Sequence, residues 1–112
     1  MTMMLFRTET PQSCGIVELD AQKRVIGFHE KMPNPPSDLA NAAVYIMGAG
    51  FIEWMIETFP NTDNLDISTQ VIPRLMERIY TWQTNGYLRD IGTPESLAEA
   101  EADMARAPTG HP

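Results

Sequence analysis

Gly15-Ile16-Val17-Glu18-Leu19-Asp20, then Ala21-Gln22-Lys23-Arg24, then Val25-Ile26-Gly27-Phe28-His29-Glu30-Lys31 is the stretch whose reading decides the fold. Two runs rich in β-branched and aromatic residues flank a short polar connection, which is the pattern of an antiparallel hairpin. Strands lying side by side return Gly15, where the first begins, to the end where Glu30 and Lys31 leave the second. That end is the expected site. A residue without a side chain, beside an acid and an amine, lets a ligand approach the backbone while polar groups hold its hydroxyls and phosphate.

Working outward, Thr2 to Thr8 reads as a strand whose upstream partner is missing, and Thr10-Pro11-Gln12-Ser13 as a loop, because Pro11 restricts its predecessor and has no N–H for a ladder. Downstream of the hairpin, Pro33, Pro35 and Pro36 predict an extended, stiff connection that presents Lys31 with little entropy left to lose. Ala42 to Met47 reads as a strand, and its nearly continuous apolar character predicts burial on both faces. Phe51 to Phe59 has helical spacing, with Phe51, Ile52, Met55, Ile56 and Phe59 on the inner face and Glu53 and Glu57 outside. A second helical pattern runs through Val71, Ile72, Leu75, Met76 and Ile79, with Asp66 or Ser68 as its cap and a kink or start at Pro73. Tyr80 to Thr84 and Gly86 to Asp90 read as two short strands joined at Asn85-Gly86. Thr93 is a good N-cap before Pro94 and Glu95, opening a closing helix to about Arg106 with Leu97, Ala100 and Met104 as its buried stripe. The order predicts an α/β fold, a mixed sheet with a β-hairpin and about three helices. Residues 1–107 make a single domain and 108–112 a loose tail.

A chain of 112 residues has room for one modest core. Its net charge of −7, with no clustered Lys and Arg, argues against a nucleic-acid surface. The single cysteine, Cys14, excludes an internal disulfide and fits a reducing compartment. No apolar run approaches the roughly 18 residues that span a bilayer, and Met1 to Phe6 lacks the basic start and long apolar centre of a signal peptide. The expectation is a soluble, cytoplasmic protein with no nucleic-acid or membrane partner.

Gly15-Ile16-Val17-Glu18-Leu19-Asp20, then Phe28-His29-Glu30-Lys31, then Asn41-Ala42, and finally Arg89-Asp90-Ile91-Gly92-Thr93-Pro94-Glu95 together resemble, in order and approximate spacing, the second half of the sugar-1-phosphate nucleotidyltransferases. The resemblance covers roughly residues 3 to 105. It implies the second half of a Rossmann-like domain in which a sugar 1-phosphate oxygen attacks the α-phosphorus of a nucleoside triphosphate, giving a nucleotide sugar and pyrophosphate. It also implies roles. Glu30 holds sugar hydroxyls, Lys31 meets the sugar phosphate, Gly15 and Asn41 contact the sugar, and Asp90 is a magnesium ligand. A hard cation with oxygen ligands suits charge neutralisation on reacting phosphates, and an ammonium suits a phosphate oxygen.

Each residue has a plainer alternative. Asp90 can merely cap the turn before a helix, Glu30 and Lys31 can be a solvated pair at a strand end, Gly15 a strand start and Asn41 a turn residue. The chain also departs from the resembled pattern. Met32 follows Lys31 where Pro is expected, Lys23 stands at a turn position where Gly is usual, Ala43 replaces a frequent Gly, and Cys14 and Leu88 replace frequent aromatics. Lys23 in a left-handed turn costs about 1 kcal/mol. Gly48-Ala49-Gly50 invites a dinucleotide-binding reading, but Glu53 occupies the third glycine position and the fingerprint fails. His29, His111 and Cys14 have no metal-ligand spacing. The glycine-rich nucleotide loop of the resembled family and its first magnesium aspartate are absent. The chain is therefore expected to be a fragment or truncated form, inactive alone, with exposed edges and apolar patches that drive self-association. The competing expectation is a non-catalytic sugar-phosphate-binding or assembly module.

Overall fold

Thr2–Arg7 forms strand β1, in which Met3 and Leu5 point inward and are fully buried. In the structure, a computed structural model that describes residues 1–61 and 63–106, this strand lies next to last in a five-stranded mixed sheet. The other strands are β2 (Gly15–Leu19), β3 (Val25–Glu30), β4 (Leu39–Ile46) and β5 (Tyr80–Gln83), in the spatial order β3-β2-β4-β1-β5. β1 pairs antiparallel with β4 and parallel with β5. The 108–112 tail lies outside the described residues.

The hairpin forms as expected, with Gly15 opposite Glu30 and Lys31 N–H donating to the Cys14 carbonyl at 3.1 Å. Asp20 organises its turn. Its Oδ1 accepts from the N–H groups of Gln22 and Arg24, and its Oδ2 pairs with Arg24 Nε at 2.9 Å. Lys23 keeps the left-handed conformation, φ 62°, that the turn asks of it. The turn then reaches β5, where Val25 N–H donates to Ile79 and Thr81 Oγ1 donates to the Lys23 carbonyl at 2.6 Å. The core gathers Met3, Leu5, Val17, Val25, Leu39, Val71, Ile72, Leu75 and Ile79.

Several elements differ from the sequence reading. β4 begins at Leu39, and its second half is not buried on both faces, since Val44 is half-exposed and Ile46 is 74% exposed. Helix α1 (Ala49–Thr58) turns Phe51, Trp54, Met55 and Phe59 to the core and leaves Ile52 and Ile56 outside. Trp54 explains the rotation. It stacks near Phe51 at 5.6 Å and meets Phe59 edge-on at 6.0 Å, and burying three aromatics outweighs burying two isoleucines.

The second helix is replaced by a π turn, Ile67–Val71, running into a 3₁₀ turn, Ile72–Leu75. Pro73 lacks the N–H that an α-helix would need there. Asp66 does cap the π turn, accepting from Thr69 N–H at 3.0 Å, and Gln70 Oε1 accepts from Asp66 N–H at 2.8 Å.

Gly86 to Asp90 makes no strand. Tyr87 and Arg89 are drawn instead to the acids of helix α2 (Pro94–Arg106). Thr93 caps α2 as expected, its Oγ1 accepting from Ser96 N–H at 3.1 Å. The Leu97 and Met104 stripe is exposed, and the half-buried residues of α2 are Ser96, Ala100 and Asp103. The helix attaches through polar groups.

Candidate functional site

A cleft of about 460 Å³ opens at the end of the hairpin where β2 begins and β3 ends. Gly15, Glu30, Lys31, Asn41 and Asp90 all line it. The five come from β2, the end of β3, β4 and the segment before α2. Phe6, Ala42, Ser68, Leu88 and Arg89 complete much of the wall. This volume is in the range of small-molecule sites. A second, more open hollow of about 500 Å³ lies between Val17, Leu19, Ile26, Pro36 and Leu39 and collects none of the five.

Gly15 is buried, and its missing side chain serves its neighbours. A Cβ there would stand 2.5 Å from Phe28 Cζ and 3.0 Å from Glu30 Oε2. The glycine leaves room for the Phe28 ring and for the Glu30 carboxylate, and Glu30 lines the cleft. Lys31 follows in a left-handed conformation, φ 50°, with its N–H tied to Cys14. A lysine in that region is uncommon, and such backbone outliers gather at functional sites.

Asn41 has a determined orientation. Ala43 N–H can only donate, so it faces Oδ1, at 2.8 Å, and leaves Nδ2 to donate to the Tyr45 hydroxyl at 2.7 Å. Burial holds the Tyr45 phenol above its usual range; the bond from Asn41 opposes the rise, and the charges of Glu30 and Asp66 add to it. Asp66 is held below the usual carboxylate range, chiefly by the Thr69 N–H, with the Lys31 charge contributing.

Asp90 both caps a turn and lines the cleft. Its Oδ1 accepts from Gly92 N–H at 2.9 Å, and its carbonyl accepts from the Ser96 hydroxyl. A Cβ at Gly92 would stand 3.1 Å from that Oδ1. Behind Asp90, Arg89 ion-pairs with Glu99 at 2.6 Å and donates to Tyr87, whose hydroxyl donates to Asp103 at 2.7 Å. The Tyr87 bond and the charges of Arg89 and Arg106 keep Asp103 below the usual carboxylate range.

No group of three or more His, Cys, Asp or Glu side chains converges among the described residues. A lone carboxylate suits one oxygen position of a hard cation, not a complete magnesium site. The residues present therefore do not fit a resident metal held by this chain alone.

Phe28, Tyr45, Ser68 and Arg89 shape the site without having been picked out as site residues. Tyr45 and Phe28 read as ordinary strand positions, and Ser68 as a helix cap. The visible signals were two adjacencies, Phe28 within Phe28-His29-Glu30-Lys31 and Arg89 beside Asp90.

The sequence matches the nucleotidyl transferase family over residues 1–107. It is 33% identical over 110 residues to a mannose-1-phosphate guanylyltransferase of Mycobacterium tuberculosis, covering 95% of this chain and 30% of that protein. It is 36% identical over 96 residues to a glucose-1-phosphate adenylyltransferase of Desulfitobacterium hafniense, covering 80% and 24% respectively. Its fold aligns, with a TM-score of 0.70 and 19% identity, with a Bacillus anthracis chain described as a candidate glucose-1-phosphate thymidylyltransferase and solved with sucrose; the alignment covers 98% of this chain and 45% of that one. The chain thus spans less than a third of the length of these curated relatives. With residues 1–107 matched throughout, the chain belongs to the nucleotidyl transferase family, in the group of sugar-1-phosphate nucleotidyltransferases.

Proposed function

We propose that residues 1–107 form a partial domain, the acceptor half of an enzyme that joins a sugar 1-phosphate to a nucleoside triphosphate, releasing pyrophosphate. The observation that carries this is the convergence of Gly15, Glu30, Lys31, Asn41 and Asp90 on one cleft. Glu30 accepts hydrogen bonds from sugar hydroxyls, Asn41 both donates and accepts, and Lys31 supplies a point charge to the phosphate. Asp90 would hold a magnesium ion through one carboxylate oxygen only, since no further metal-ligand group converges on it among the described residues. The chemistry such an ion would supply is charge neutralisation on the phosphates.

Positioning and charge are what this chain contributes, so alone it is inactive. Pyrophosphate release from the isolated chain with a panel of triphosphates and sugar phosphates stays at background; robust turnover contradicts the reading. Calorimetry with glucose-, mannose- and heptose-type phosphates detects binding that Lys31→Ala abolishes.

The lack of a complete metal-ligand group among the described residues favours a second reading, a non-catalytic sugar-phosphate-binding or assembly module. Adding the missing part of the fold as a separate polypeptide separates the two, because only the first reading gains turnover. Exposed Ile46, Ile56 and Met104 support self-association, which light scattering at rising concentration tests. The reading takes the protein as cytoplasmic, without nucleic-acid or membrane partners. No helix among the described residues is long and apolar enough to cross a membrane.

A further inference from the structure

β4 carries an irregularity that the pairing with β1 makes visible. Met3 pairs with Tyr45 and Leu5 with Asn41, so Ala42, Ala43 and Val44 together stand opposite Met4 alone. Four residues of regular strand would separate Asn41 and Tyr45 by about 13 Å. Both side chains belong to one face in either case; the bulge shortens the distance between them and lets Asn41 Nδ2 reach the Tyr45 hydroxyl at 2.7 Å. Ala43 sits at its crest with φ 59°, and that left-handed turn aims its N–H at Asn41 Oδ1, at 2.8 Å. Bulges next to functional sites commonly re-aim a side chain in this way.

We propose that Tyr45 is a positioning residue: across the β4 bulge its hydroxyl holds the Asn41 carboxamide, leaving one N–H and one lone pair directed at a sugar hydroxyl in the cleft. The proposal rests on the sugar-phosphate reading of the cleft. Chemical inventory supports it. With Ala43 on Oδ1 and Tyr45 on Nδ2, the amide retains one donor and one acceptor, the pair that a single hydroxyl needs. Tyr45 is anchored, its ring half-buried against the core. A phenol is protonated at neutral pH, and burial moves that of Tyr45 further from ionisation. Without the tyrosine oxygen, the carboxamide is free to rotate and must be ordered again on binding.

Tyr45→Phe keeps the ring and removes only the oxygen. Two measurements on the full chain test the proposal. The first needs no ligand. In the wild type the Asn41 side-chain NH₂ gives two well-separated, slowly exchanging proton resonances, and in Tyr45→Phe they move together and exchange faster. The second is calorimetry with glucose 1-phosphate, mannose 1-phosphate and inorganic phosphate. Tyr45→Phe weakens the sugar phosphate that the wild type binds by about fivefold, the usual worth of one hydrogen bond, and leaves inorganic phosphate unchanged. Combining it with Asn41→Ala costs no more than Asn41→Ala alone. Unchanged amide resonances overturn the proposal, and so does unchanged sugar-phosphate affinity. Equal weakening of both ligands also overturns it, since that marks a general structural loss. If the wild type binds no sugar phosphate, the cleft reading fails as well; if it binds and Tyr45→Phe binds equally, only the positioning role fails.

Discussion

The two walls of the cleft are held in place by different physics. Gly15, Glu30 and Lys31 sit on a hairpin whose Val17 and Val25 are buried with Met3, Leu5 and Ile79. Asp90 sits on a segment held to α2 by Tyr87, Arg89, Glu99, Asp103 and the Ser96 hydroxyl, with no fully buried residue between Tyr80 and Arg106. Salt does not screen apolar burial, whereas it screens and weakens exposed ion pairs. One wall is therefore a fixed surface and the other an adjustable one, and the distance between amine and aspartate depends on the weaker of the two.

The largest effect tests the packed wall. Leu5→Ala, at a site 1% exposed between β4 and β5, lowers stability by about 2–5 kcal/mol in chemical denaturation. An equal loss on truncating the exposed Met104 would erase the contrast. Gly15→Ala comes next. Its methyl collides with Phe28 and displaces Glu30, costing about 1–3 kcal/mol and abolishing sugar-phosphate binding in calorimetry.

The electrostatic wall is tested by acid. Asp103 has a folded pKa below the ordinary carboxylate value, so its tie to Tyr87 and Arg89 is complete above about pH 4 and is lost as pH falls through the lowered value. Protection factors across residues 97–106, which divide out the intrinsic pH dependence of exchange, therefore fall on acidification before those in β1 do, and Asp103→Asn shows the lowered protection already at neutral pH. Simultaneous loss of protection in both regions contradicts the division. The smallest effect is Lys23→Gly, which relieves the φ 62° conformation and raises stability by no more than about 1 kcal/mol, measured as a small rise in Tm.

The division also explains what could be read in advance. The hairpin is a local structure, and residues that pair within a short stretch announce themselves through alternation and turn chemistry. Gly15, Glu30 and Lys31 followed from it, while Asn41 and Asp90 needed the resemblance to bring them to the same place. The parallel pairing of β5 with β1 leaves no mark in either segment, because it depends on partners far apart in the chain. Helix α1 differs from the sequence reading because Trp54 falls outside the stripe of Phe51, Ile52, Met55, Ile56 and Phe59, which looks complete without it. Helix α2 was given an apolar docking face because amphipathic periodicity says where apolar residues gather, not whether anything covers them. The strand expected at Gly86–Asp90 was lost to side chains, Tyr87 and Arg89, that had better partners on the helix. The Asn41–Tyr45 contact was invisible because a bulge changes which positions are neighbours.

The sheet order has one kinetic consequence. Thr2 has its neighbours at Ile46 and Tyr80, so β1 cannot be flanked on both sides until ribosomes have delivered β5, nearly 80 residues later. Until then Met3 and Leu5 lack their partners on β4 and β5, a window in which chaperones or like chains compete for them.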